Sequence, residues 1–406
     1  VSLLIGGTLL LVGFAASLVF ERYRVPDFFM LLLLGLLLGH LPIDPFGPTA
    51  VANLEPILPV FIHLTLAFIL FEGGLALNMK RHGRRGGLAL AAHILGAMAL
   101  TMAVTYLLAT RILGFSPITG IAFAAAFSGP SATIVMSFAT RLRLGPRARG
   151  AIVFEGVLGN VVAAVVVLFA IQFPGAPPAL EALVPYLAFV GLAALVGFIY
   201  GLAWRVGMSG LLAFKFQYIA TLALAVIVYA VGEGFVGGNG VVAVFVFGLT
   251  VAYGHAEISR IEETGGEGLR AFQGEVSFVL RTFFFVYLGL TIRLEAFTIP
   301  ALVAALLLTM GFVVARVPTS LGLGRAYRFT RRETRVVIGT VGRGLTDIVL
   351  ILFALQSGVL PAADVPLVLA LLPLVVLSAA ITCAALVAWA ERTREASPAP
   401  AVPQAP

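Results

Sequence analysis

Ser128-Gly129-Pro130-Ser131 splits an otherwise apolar run over residues 118–138, and Gly339-Thr340-Val341-Gly342-Arg343-Gly344 splits another over 336–356. Proline removes a helical N–H and crowds the preceding turn, and glycine lets the backbone leave the helix. Both runs therefore read as helices broken near mid-depth. Glycine and proline are common in membrane helices and ease close packing, which is the plainer account of either break taken alone. The two together say more, because of where they sit in the chain.

Sixty per cent of the 406 residues are hydrophobic and 11% are charged, with a mean hydropathy of +1.07. A soluble domain carries about a quarter charged residues, so this is the composition of a membrane protein. Apolar runs long enough for the roughly 20 residues of a crossing helix lie near 2–20, 27–39, 57–76, 87–110, 118–138, 150–171, 184–204, 216–232, 240–254, 273–291, 299–321, 336–356 and 365–390. The expectation is an all-α membrane bundle of about thirteen helices over 1–390, because lipid offers no partner to unpaired backbone groups. The broken runs are the fifth and the twelfth. Spans 1–6 (about 1–171) and 8–13 (about 216–390) then form two inverted six-helix halves joined by span 7 (184–204). Broken helices at matching places in inverted repeats point to the binding site of a transporter.

Charge placement supports the count. Of the 26 Lys and Arg residues, 21 fall in loops after odd-numbered spans, among them Lys80, Arg81, Arg84, Arg85, Arg147, Arg149, Arg328 and Arg335. The other side has Arg111 and Arg293, and Arg281, Arg316 and Arg343 lie within spans. By the positive-inside rule the N-terminus is outside and the C-terminus cytoplasmic, in the inner membrane of the cell. The formal charge of +7 is thus topological, and no nucleic-acid partner is implied. Span 1 lacks a basic region before it and reads as a retained helix, not a signal peptide. The Pro/Ala-rich stretch 391–406 reads as a disordered cytoplasmic tail. Cys383 stands alone, and His40, His63, His82, His93 and His255 are scattered, so no metal site, cofactor or enzyme chemistry is expected.

A charge inside a span costs roughly 2.5–3.5 kcal/mol on insertion scales, which makes each one a candidate for function. The interior set is Glu72, Glu155, Glu233, Glu275, Arg281, Arg316, Arg343 and Asp347. Glu275 and Arg316 lie near the ends of their spans, where long side chains reach the interface, and Glu233 sits at a span boundary; these read as structural. Glu155, Arg281, Arg343 and Asp347 are deeper. Arg343 and Asp347, four apart, share one helix face after the break, and Asn160 lies about 7.5 Å deeper along span 6 than Glu155. An ion-pair network that only fixes helix packing is the plain alternative for all of them. Burial favours a neutral acid while a neighbouring cation favours the carboxylate, so Asp347 is a candidate proton carrier.

Leu70-Phe71-Glu72-Gly73-Gly74-Leu75, Phe127-Ser128-Gly129-Pro130, Phe154-Glu155-Gly156-Val157-Leu158-Gly159-Asn160, Arg281-Thr282-Phe283-Phe284-Phe285-Val286-Tyr287-Leu288-Gly289 and Gly342-Arg343-Gly344-Leu345 resemble, in order, stretches of the monovalent cation:proton antiporter superfamily, sodium/proton exchanger branch. The resemblance implies a homodimer with a dimerisation portion and a moving six-helix core, exchanging Na⁺ or K⁺ for H⁺. Glu72 then falls on a glutamate of the ion site, Ser128 on a threonine that helps bind the cation, and Glu155 on a glutamate paired with an arginine, taken as Arg343, with Arg281 in the same ion-pair set. Gly129, Pro130, Gly342 and Gly344 form the helix breaks.

Two departures matter. Many relatives have Thr-Asp-Pro at the fifth-span break, and Asn-Asp or Asp-Asp in span 6; here the sequence is Ser128-Gly129-Pro130 and Gly159-Asn160. An amide coordinates a cation through its carbonyl oxygen but carries no proton. One reading is a cation/proton exchanger whose titrating group has moved to Asp347 or Glu155. A second is transport of another solute, such as an organic anion, on the same scaffold. A third is a sensor or scaffold that transports nothing.

Overall fold

The computed structural model describes residues 7–8, 11, 13–15, 27–40, 54–77, 84–132, 134–135, 142, 144–174, 180–209, 216–255, 266–292 and 298–392. Most of the first expected span, the end of the fifth and the tail beyond Arg392 lie outside the described residues. Within them the chain is helical: α1 Asp27–His40, α2 Leu58–Ala76, α3 Arg84–Arg111, α4 Pro117–Ala126, α5 Pro146–Gln172, α6 Leu180–Ser209, α7 Gln217–Phe235, α8 Gly240–His255, α9 Gly266–Thr291, α10 Ile299–Tyr327, α11 Arg331–Gly339, α12 Leu345–Gln356 and α13 Val365–Arg392. Eight of these (α2, α3, α5, α6, α7, α9, α10 and α13) are long and apolar enough to cross a membrane alone, while α1, α4, α8 and α12 are shorter apolar helices. α4 and α12 are short for the reason seen in the sequence: each is half of a broken helix.

The helices sort into two groups. α1, α2, α6, α7, α8 and α9 pack among themselves, chiefly through α8 on α6 and α2 and through α9 on α1. α3, α4, α5, α10, α11, α12 and α13 form the second group, with α10 against α3 and α13 and with α4 against α3 and α5. α2 bridges them, touching α5 and α12 as well as α8. Its contact with α8 is made by Gly74, since a Cβ there would collide with the Phe245 carbonyl oxygen; small residues of this kind let membrane helices approach closely where lipid supplies no hydrophobic drive. α6 leaves Val184, Leu187, Leu195 and Phe198 exposed, a surface suited to hydrocarbon.

Two carboxylates tie the broken helices into their group. Ser116 caps α4, and its N–H and Oγ donate to Asp364 Oδ2 at 3.1 and 2.6 Å, just ahead of α13. At α11, Thr330 and Glu333 form a capping box, and Gly145, the cap of α5, donates its N–H to Glu333 Oε1 at 3.0 Å. Each broken helix is thus fastened, at its own entry, to the cap of a neighbouring continuous helix.

Candidate functional site

The two breaks cross. After α4, Phe127–Ser131 leaves the helix, and Ser131 donates its N–H to the Gly342 carbonyl in the second break at 2.8 Å. The crossing is tight: a Cβ on Gly342 would lie 2.8 Å from Ile134 Cγ2. α4 and α11 present carbonyl ends to the crossing, and α12 presents N–H groups, so partial charges of both signs meet there. Arg343 and Asp347 answer them. Arg343, fully buried, donates Nη1 to the Gly129 carbonyl and lays its guanidinium 4.2 Å over the Phe312 ring. Asp347, in the first turn of α12, turns back to accept the Gly344 N–H. The shared helix face expected for this pair is therefore corrected. α12 starts at Leu345, which leaves Arg343 in the break, ahead of the helix that carries Asp347.

Beside the crossing lies a small cleft lined by Glu72, Gly73 and Ala76 of α2, by Val157 and Asn160 of α5 and by Ala132. Asn160, buried on α5, donates Nδ2 to Thr346 Oγ1 on α12 at 3.0 Å. With the amide nitrogen engaged, its carbonyl oxygen is the acceptor left for a cation. Glu72 accepts a hydrogen bond from Ser277 Oγ of α9 at 2.7 Å, and Arg281, one turn further along α9, acts on it electrostatically. So a carboxylate from the first group and an amide from the second face one space. Ser128 is buried at the end of α4, with its hydroxyl donated to the Ala125 carbonyl at 2.7 Å.

Glu155 does not face that space. Five residues before Asn160 on α5, it points to another side and meets Arg316 of α10 in a two-pronged pair at 2.5 and 2.9 Å. Arg316 Nη2 also donates to the Val337 carbonyl (2.9 Å) and Thr340 Oγ1 (3.0 Å) of the second break, and His93 Nε2 of α3 stands 3.3 Å from Glu155. The expected Glu155–Arg343 pair is thus replaced by Glu155–Arg316, and Arg281 belongs to the neighbourhood of Glu72. The end-of-span placement of Arg316 is corrected too: α10 continues to Tyr327, which puts Arg316 about 16 Å from the helix end. Sequence reasoning also passed over His93 and Thr346. His93 carried a signal, an ionisable group within a span; an isolated threonine carried none.

A profile described as sodium/hydrogen exchanger, transmembrane, matches residues 7–389. The chain belongs to the sodium/hydrogen exchanger family. Two solved structures of the sodium proton antiporter MjNhaP1 from Methanocaldococcus jannaschii share this fold. One, determined at pH 8, has a TM-score of 0.76 and 19% identity over 97% of this chain and 98% of that one. The other, an electron-microscopy map, has a TM-score of 0.75 and 20% identity over 96% of each chain. A comparison with curated protein sequences finds no match.

Within this chain the two glycines that depart from the usual motifs touch each other. A Cβ on Gly129 would lie 3.1 Å from Gly159 Cα, and one on Gly159 would lie 3.4 Å from Gly129 Cα. The break in the first broken helix and the middle of α5 are in backbone contact where other motifs of the family place acids.

Proposed function

We propose that this exchanger moves a monovalent cation against protons across the cell membrane by alternating access, with the ion held in the Glu72–Asn160 cleft. The observation that carries the reading is that cleft: a carboxylate of one helix group and an amide of the other line it together, beside the crossing of two broken helices. Relative movement of the two groups changes both walls of such a site at once.

Two of the three carboxylates of the site have prior commitments. Glu155 is neutralised by Arg316, and Asp347 is spent on the α12 N-terminus and on Arg343. Glu72 is the acid on which cation and proton alternate, with the Asn160 carbonyl as a neutral ligand; the titrating group has moved across the cleft, from α5 to α2. Thirteen spans, an outside N-terminus, a cytoplasmic C-terminus and a homodimeric assembly complete the proposal, supported by the loop charges and the family.

Proteoliposomes preloaded with a pH gradient and challenged with Na⁺, K⁺ and Li⁺ test it. Cation-driven proton movement is expected in the wild type, lost in Glu72→Gln and retained in Asp347→Asn where that variant folds. Normal exchange by Glu72→Gln, or no proton movement with any of the three cations, overturns the proposal. Asn160→Asp places a second acid on the cleft and is expected to change the cation coupling.

A further inference from the structure

The exchange reading leaves unused the arginine-rich end of the second helix group. Across residues 84–172 and 299–392 the acids are Glu155, Glu333, Asp347, Asp364 and Glu391. Glu155 and Asp347 are buried at depth, and Asp364 sits at the opposite end, beside the cap of α4. That leaves Glu333 and Glu391 where α5 and α11 begin and α10 and α13 finish. Both are engaged: Glu333 with Thr330 and the Gly145 N–H, Glu391 with Arg332. Against them stand Arg147, Arg149, Arg325, Arg328 and Arg392, all exposed.

Three observations show that these arginines converge and that their placement costs the fold something. The Gly145–Glu333 hydrogen bond brings the starts of α5 and α11 together, and Arg147 is close enough to Tyr327 at the end of α10 to act on it electrostatically. Arg147 and Arg149 occupy the first turn and the turn after it in α5, with no acid in the first turn, so their charge opposes the helix dipole where an anion would complement it. Arg328 caps α10 with left-handed backbone, φ 55° and ψ 46°, a position glycine takes by default. A long cation is kept where the backbone favours a residue with no side chain.

We propose that this end binds the phosphate group of anionic phospholipids, of the phosphatidylglycerol type, in the adjoining leaflet. Arg147, Arg149, Arg325 and Arg328 supply the guanidinium donors, whose planar forks suit phosphate oxygens. A lipid fits better than a soluble polyanion because of depth. α10, 29 residues long, measures about 43 Å against a hydrocarbon core of about 30 Å, so its end stands at headgroup level. The charge asymmetry of the loops assigns that end to the cytoplasmic leaflet, where anionic lipids attract basic clusters.

The full chain, purified in neutral detergent, is titrated with short-chain phosphatidylglycerol, with phosphatidylcholine of the same chains, or with inorganic phosphate, and its thermal midpoint is followed. Phosphatidylglycerol alone is expected to raise the midpoint. The triple variant Arg147→Gln, Arg149→Gln, Arg328→Gly is expected to need roughly a hundredfold more of it, while Arg111→Gln at the other end behaves as wild type. Arg328→Gly by itself relaxes the backbone, so it keeps its midpoint without lipid and still loses affinity; it carries the test if the triple variant does not fold. An equal shift with phosphatidylcholine, an equal shift with inorganic phosphate at the same concentration, or unchanged affinity in the arginine variants overturns the proposal.

Discussion

Replacing Arg316 by Met tests which arginine neutralises Glu155. The substitution removes two hydrogen bonds to the carboxylate and leaves it buried with only His93 at 3.3 Å. Removing one partner of a buried ion pair costs about 3–5 kcal/mol, because the other charge stays in a low-dielectric interior without compensation. Glu155→Leu strands the guanidinium in the same way and has a similar cost. The double variant strands little, because Val337's carbonyl keeps its bond from Thr340 Oγ1 at 2.7 Å when Arg316 is gone. Its expected cost is about 1–2 kcal/mol, since a buried pair replaced by apolar groups is often close to neutral. The double-mutant cycle should therefore give a coupling of about 3 kcal/mol or more, at the top of the range for residues in one network. Arg343→Met serves as the comparison; Arg343 feels Glu155 electrostatically but gives its hydrogen bond to Gly129, so coupling of about 1 kcal/mol or less is expected. Unfolding in mixed micelles by SDS titration gives the free energies. Additive costs for Glu155 and Arg316, or stronger coupling of Glu155 to Arg343, would show that the pairing is not the one described.

Gly129→Ala puts a methyl group 3.1 Å from Gly159 Cα, and because both sides of the contact are backbone the cost should be about 1–3 kcal/mol; Gly129→Asp should cost more, and wild-type stability in either contradicts the close contact. Phe312→Leu keeps an apolar group but removes the ring under Arg343, and about 2 kcal/mol of stability should go with it, as read by the same titration. Asp364 tests pH dependence. Partial burial pushes its carboxyl up, but hydrogen bonds from Ser116 and Thr119 outweigh this and hold it below the ordinary carboxylate range. A carboxyl lowered in the folded state stabilises fully above its unfolded value of about 3.9 and loses that contribution as pH falls through the folded value. Thermal midpoints below about pH 4 should fall less steeply for Asp364→Asn than for wild type, and equal slopes would rule the contribution out.

The fold was legible because its signals are local. Hydrophobic length fixes where each helix runs, and the expected and observed spans agree within a few residues over most of the described chain; glycine and proline fix where two of them break. The ion pairing was not legible, because it depends on which faces of different helices meet. Arg316 shows the mechanism of the error. The apolar run over 299–321 places it near an end, yet helical structure outlasts apolar composition and carries α10 to Tyr327. Hydrocarbon length and helix length are different quantities, and depth follows the second. Glu155 and Asn160 show another limit. Their spacing gives a correct rise along α5, but five residues also turn the helix through about 140°, which sends one to α10 and the other to the cleft.

The two departures from the motifs this chain resembles meet in one place when the contacts are considered together. Gly129 and Gly159 touch through their backbones, and the tighter side of the contact is Gly129, whose Cβ would press on Gly159 Cα at 3.1 Å, while a Cβ on Gly159 would sit at an ordinary 3.4 Å. Asn160 follows Gly159 on the same helix, and its amide reaches Thr346 across the crossing, a neutral hydrogen bond that leaves no buried charge to compensate. Arg343, which stands over the Gly129 carbonyl and against Phe312, is likewise held by backbone and ring, with no acid of α4 to pair it. A single Gly129→Asp change therefore restores a charge without restoring its space, whereas Asn160→Asp adds an acid at a position that already lines the cleft. On the proposed reading the second change alters coupling and the first lowers stability, and the contrast between them separates a repacked exchanger site from an abandoned one.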